Sequence, residues 1–421
     1  MDTSFTGSKP HYLTLDALRG AAALMVVFYH IFEGYAFAGS VGGGGDGIIR
    51  WFNHGYLAVD FFFLLSGFVI SYAYDDRWAQ GMSLRGFFGR RLRRLHPMVV
   101  LGAVIGAAAF CLQGRMRWDG TVTPVSFVML AMLMAMFMIP AVPGTGCEVR
   151  GNGEMFPLNG PSWSLFFEYI GNILYALAIR RLSTRWLKVL CAVTGACHFV
   201  FAAFDFSGYG SIGVGWTLDG LNFFGGLLRM MFPFTLGMLI QRELHSGTES
   251  REQLESQEET DCQGQEKNVR NGLYSRLNRP IKGAMWICVA VMAALFAIPY
   301  LPWRYAFGES GICFCANGVF EFVCIGGIFP ILLLLGASAS VKKGSAGEKL
   351  YKASGDLSYP LYLVHYPVMY LFYAHLIRTG KFTFAQTWPE AIGVYAICVI
   401  LGILCLKLYD EPARKLLNRK R

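Results

Sequence analysis

The chain has 421 residues, of which 54% are hydrophobic and only 15% charged, with a formal charge of +9. That balance is too apolar for the two or three soluble domains that the length alone would allow. The positive charge suits anionic lipid and acidic ligands equally and selects no function by itself.

Apolar runs of about 20 residues recur along nearly the whole chain, each long enough to cross a hydrocarbon layer about 30 Å thick. The expected fold is an all-α, polytopic transmembrane bundle with no second, soluble domain. The first run has no small-residue cleavage site and leads into more membrane-like sequence, so it is expected to remain as a span. Spans are expected at 13–35, 55–74, 97–113, 161–181, 186–204, 221–240, 283–302, 315–336, 358–378 and 389–408.

Basic loops set the direction of each crossing. "RRLRRLHP" after the second span, "RRLSTRWLK", "VKKG" and the tail "ARKLLNRKR" all fall on the cytoplasmic side under one threading. It places both termini of a single domain, 1–421, inside a multi-pass cell-membrane protein. The threading requires that "FVMLAMLMAMFMIP" (127–140) is a re-entrant or interfacial helix rather than an eleventh span, which is the alternative. The polar segment 241–282 is expected to be a mobile cytoplasmic loop within the domain, with room for weak helix in its middle and no chemistry assigned to it.

Eleven cysteines lie mostly singly in apolar runs without a C-x-x-C pair, so they read as small hydrophobes. Cys313 and Cys315 are too close in sequence for ordinary disulfide geometry. No metal site is expected.

Ionisable residues inside apolar spans are costly and should face protein or water. Arg19 and His30 are eleven residues apart, which a helix turning about 100° per residue brings to within about 20° of one face. Alone, that pair also fits a snorkelling arginine and a packing histidine. Asp60, near the outer end of the second span, lies at a depth matching His30 and is a candidate partner for the imidazole. Ser164, Glu168, Asn172 and Tyr175 form one helical stripe. Glu168 enters from outside to a comparable depth and is a second candidate partner. Ser358, Tyr362 and His365 make a stripe from the inner side. Arg90, Arg91 and Arg94 form a basic patch at the inner surface, suited to phosphate or to lipid headgroups. There is no G-x-x-x-x-G-K-[ST] loop for a nucleotide.

Together these segments resemble the acyltransferase type 3 family of polytopic membrane O-acyltransferases over nearly the whole chain. Arg19 and His30 match its Arg, ten residues, His signature; "VDFFFLLSGF" (59–68) matches V-D-x-F-F-x-L-S-G-F. "FGRRLRRLHP" (88–97), "WSLFFE" (163–168) and "SYPLYLVH" (358–365) match three further signatures in the expected order. Ala58, Val99 and the single acid after "WSLFF" depart from the usual pattern and bear on substrate geometry.

The resemblance implies transfer of an acyl group, commonly acetyl from cytoplasmic acetyl-CoA, to a hydroxyl of a carbohydrate, a lipid-linked glycan or another surface or secreted molecule, with no nucleic acid involved. His30 would be the base, with Asp60 or Glu168 as its partner and Arg19 beside the path of the donor. Arg90, Arg91, Arg94, Ser358, Tyr362 and His365 would hold the donor. Ser66, Trp163, Ser164, Asn172 and Tyr175 would line the acceptor site. The competing reading is a proton-coupled transporter or glycan flippase, which also needs buried charge; no inverted repeat supports it.

Overall fold

The computed structural model describes residues 12–45, 47–260, 283–307, 313–339 and 341–418, with side chains of the helix described as far as residue 246 in the stretch before the first long gap. The chain is a bundle of helices: α1 Leu13–Val41, α2 Ala58–Ala79, α3 Leu84–Leu112, α4 Val125–Met136, α5 Ser162–Leu177, α6 Thr184–Ala203 and α7 Gly220–Thr260. Then follow α8 Ala284–Ala297, a short antiparallel hairpin of β1 Arg304–Ala306 and β2 Cys313–Cys315, and α9 Ala316–Val323. A π turn at Cys324–Ile328 joins α9 to α10 Phe329–Ser338, and α11 Ala346–Thr379 and α12 Phe384–Cys405 complete the bundle. A second π turn, Leu406–Asp410, leads into α13 Glu411–Asn418.

Among the described residues, eight helical segments are long and apolar enough to cross a membrane. The two remaining expected spans fall on α8, apolar but only 14 residues long, and on α11, which has 34 residues and a polar first third. The 12-residue α4 is too short, at about 18 Å, to cross on its own. The stretch 241–260 differs from the loop expected over 241–282, because α7 runs on without a break to Thr260. "ESREQLESQEE" is rich in good helix formers, so the helix continues once it leaves the apolar run. Residues 261–282 lie outside those described.

Two helix pairs organise the interior. α1 and α11 run parallel along most of their length, with Arg19 beside Ser358 and His30 beside His365. Their close approach rests on glycine: a Cβ on Gly20 would collide with Ser354, and one on Gly34 with the Tyr373 ring. α2 packs on α7 in the same way, since a Cβ on Gly67 would meet the Phe234 carbonyl and one on Gly237 the Leu64 carbonyl. Small residues at such crossings let backbones approach closely, so that the helices gain tight van der Waals packing.

The connection from α4 to α5 folds into the bundle rather than over it. Residues 154–162 are all buried. Non-helical backbone needs its polar groups satisfied by protein when it lies inside a bundle. Here Met155 N–H donates to the Trp216 carbonyl at 2.8 Å and Ala141 N–H to the Met155 carbonyl at 2.7 Å. Arg150, fully buried, donates from Nε to the Pro157 carbonyl at 2.6 Å while its guanidinium lies 3.5 Å from the Tyr370 ring centroid. Stacking on aromatic faces is what keeps so buried a cation tolerable. This inward loop lowers the starting point of α5, which decides where Glu168 lies.

Candidate active site

Two cavities lie end to end within the bundle. The first, about 140 Å³, opens at the end of the molecule where α1 and α11 begin. Arg19, from the second turn of α1, points into it and donates from Nε to Ser358 Oγ at 2.8 Å and from Nη2 to the Gly355 carbonyl at 3.0 Å. The same guanidinium lies 3.3 Å from Asp16. Arg91 and Arg94, about 60° apart on α3, present their side chains to the same space. Arg91 donates to Glu168 Oε1 at 2.7 Å, and Ser66 donates to that oxygen at 3.1 Å. The Nε of Arg91 is buried and, among the described residues, has no partner.

The second cavity, about 250 Å³, is lined by His30, Glu33, Glu154, Trp163, Arg229 and a group of tyrosines. His30 Nδ1 is 2.6 Å from Glu33 Oε2, the carboxylate three residues later on the same helix. Tyr366 and Tyr373 donate to that oxygen at 3.3 and 3.2 Å, and Tyr29 donates to Oε1 at 3.3 Å. A carboxylate so held fixes the imidazole with Nδ1 protonated and leaves Nε2 to accept a proton. On its other side His30 stacks on His365, ring centroids 5.2 Å apart.

Glu154 reaches this cavity from the buried loop and accepts hydrogen bonds from Tyr370 and, at 2.9 Å, from Asn152 Nδ2. Burial pushes its carboxyl up to about 7, against the Tyr370 hydrogen bond and the Arg150 charge, which pull the other way. Behind it, burial lowers the pKa of Arg150.

Val59 and Tyr362 line both cavities. They form the waist between the guanidinium groups and the imidazole. The Tyr362 hydroxyl is 2.8 Å from Ser164 Oγ, so two hydroxyl groups meet at this junction. Arg19 and His30 share one face of α1, as their spacing predicts, and that face looks into one cavity at Arg19 and the other at His30.

Several expected placements are corrected. Asp60 does not reach His30: it is fully buried and paired twice with Arg229, at 3.0 Å to Nε and 2.7 Å to Nη2. Glu168 does not reach His30 either, because the buried loop starts α5 inside the bundle and carries this residue down to Arg91. Arg90 is exposed and lies outside the first cavity, beside Arg77 and Ser83 in a shallow groove, since it points about 100° away from Arg91. His365 is not among the residues lining the donor-side cavity: its Nδ1 is 2.9 Å from the Tyr362 carbonyl and its ring supports His30.

On the acceptor side, Trp163 lines the second cavity and stacks on Arg229, 5.0 Å from ring centroid to guanidinium. Ser66 and Ser164 line the first. Asn172 and Tyr175 line neither; Tyr175 donates to Asp75 at 2.6 Å, two turns further along α5 than Glu168.

Sequence reasoning passed over Glu33, Arg229 and Glu154. For the first two the signal was present, since each is an ionisable residue within an apolar span. Glu154 lies in a Gly- and Pro-rich connection whose inward path no local pattern reveals.

A family model described as an acyltransferase domain matches residues 12–407. The chain is 24% identical over 432 aligned positions, 97% of this chain and 93% of that protein, to acyltransferase MdmB of Streptomyces mycarofaciens. It is 34% identical over 203 residues, 46% of this chain and 95% of that protein, to protein 2 in the picA locus of Rhizobium radiobacter. A shorter match, 34% over 104 residues, covers 24% of this chain and 14% of a Staphylococcus aureus (strain COL) protein whose name is that of an O-acetyltransferase. No solved structure matches.

Proposed function

This chain belongs to the acyltransferase family, and from that premise we propose that it moves an acyl group, acetyl foremost, from acyl-CoA to a hydroxyl of a carbohydrate or another surface or secreted molecule. The observation that carries this reading is the pair of adjoining cavities that share Val59 and Tyr362 in their linings, one bordered by guanidinium groups and the other holding a carboxylate-bound imidazole. Guanidinium forks match phosphate oxygens in shape and charge. Arg94 and the free Nε of Arg91 are the groups assigned to the CoA phosphates, with the basic end facing the cytoplasm. The pantetheine arm extends past Arg19 toward the waist.

Past the waist, in the second cavity, His30 Nε2 takes the proton of the acceptor hydroxyl as its oxygen bonds to the thioester carbonyl carbon. Glu33 stabilises the imidazolium that forms. The carbon–sulfur bond then breaks, and the departing thiolate receives the proton, giving an ester and CoA-SH. The Tyr362 hydroxyl, which lines both cavities and meets Ser164 Oγ, is the donor assigned to the carbonyl oxygen as it gathers charge.

The test is acyl transfer by His30→Ala, read as CoA release by purified protein and as added acyl mass on surface glycans of cells. We expect a loss on the order of 10³-fold at unchanged abundance and membrane insertion. Turnover at the wild-type rate in that variant contradicts the proposal.

A further inference from the structure

The helix α13 lies beyond residues 12–407, the part of the chain that the family model matches. By sequence its basic residues are an orientation signal. The structure gives one of them another setting: Arg414 lines the first cavity together with Arg19, Arg91 and Arg94. α13 packs against α3, the helix that carries Arg91 and Arg94. The π turn at Leu406–Asp410 inserts an extra residue before α13 and so shifts which face it turns to the cavity.

The valences of these cations are unequally used. Arg19 is committed to Ser358, Gly355 and Asp16, whereas Arg91 pairs with Glu168 and keeps its Nε unpartnered among the described residues. Arg414 pairs with Asp410 through Nη2, while its Nε is buried and, among the described residues, without a partner. A guanidinium with a spare buried donor, lining a cavity beside three other arginines and the carboxylates of Asp16, Glu168 and Asp356, suits a phosphate oxygen.

We propose that Arg414 is a phosphate-binding residue of the donor site, supplied by the C-terminal helix; this rests on the reading of acyl-CoA as donor. A lipid headgroup offers the same phosphate chemistry, so the test separates the two. CoA is titrated by calorimetry against full-length wild type, Arg414→Ala and Arg91→Ala/Arg94→Ala, in detergent without lipid. Arg414→Ala is expected to weaken CoA binding about tenfold. Arg414→Lys should restore it only in part, because an ammonium lacks the fork. If the alanine variant does not fold, Arg414→Gln, which keeps most of the side-chain stem, takes its place.

Parallel titrations in phosphatidylglycerol and phosphatidylcholine nanodiscs supply the second arm. Wild-type CoA affinity in Arg414→Ala, with thermal stability lost in phosphatidylglycerol alone, assigns the residue to headgroups and overturns the proposal. Loss of CoA binding in Arg91→Ala/Arg94→Ala but not in Arg414→Ala overturns this assignment and leaves the donor reading standing. Absence of CoA binding by wild type overturns both.

Discussion

Glu33 sits three residues after His30, holds its Nδ1 at 2.6 Å and is itself gripped by three tyrosine hydroxyls. If its charge is what stabilises the imidazolium, Glu33→Gln should lower kcat on the order of 10²-fold while leaving the KM for acyl-CoA unchanged. A matching change in KM with kcat intact would move Glu33 from the chemistry to binding. Glu154 gives a pH prediction with a definite sign. Its folded pKa of about 7 exceeds the ordinary 4.5, so the folded state binds this proton more tightly than the unfolded one. The associated stability is fully present below pH 4.5 and is lost as pH rises through about 7, a fall of a few kcal/mol at most. Glu154→Gln should flatten that slope in thermal unfolding across this window; an unchanged slope assigns it to another group. Asp60 and Arg229 are in a different position, since a buried pair that loses one partner typically costs about 3–5 kcal/mol. Asp60→Asn is therefore expected to reduce folded yield before it reports on catalysis.

At the scale of elements, the parallel seam between α1 and α11 sets the spacing of the site. Gly20 lies one residue after Arg19 and against Ser354, so Gly20→Ala must push α11 away and with it the Ser358 and Gly355 oxygens that hold the guanidinium. We expect membrane insertion to survive this change and acyl transfer to fall at least tenfold, by the loss of positioning; full activity would show that the seam tolerates a methyl group. The helices themselves were legible in the sequence because span length and apolar character are local properties. The shared face of Arg19 and His30 was legible for the same reason, being a matter of helical angle. The partners were not. Span ends alone do not fix the depth of Asp60 and Glu168, and the buried stretch 154–162 moves the start of α5 inward by an amount no periodicity records. The extension of α7 beyond the apolar run is only partly legible, because its polar composition fits a loop while its residues favour helix.

Over the whole molecule, the bundle sets a basic cavity and an aromatic, carboxylate-bearing cavity back to back. Neither holds all the groups that acyl transfer requires: the guanidinium groups are on one side and the imidazole on the other. Val59 and Tyr362 are the common wall, and acyl transfer at His30 requires the thioester to pass them. A wider side chain at Val59 should therefore separate donor binding from chemistry. The direct measurement is CoA affinity and acyl transfer on the same preparation of Val59→Trp. Wild-type CoA affinity with acyl transfer reduced at least about a hundredfold is the predicted result; wild-type transfer through the blocked waist would contradict it.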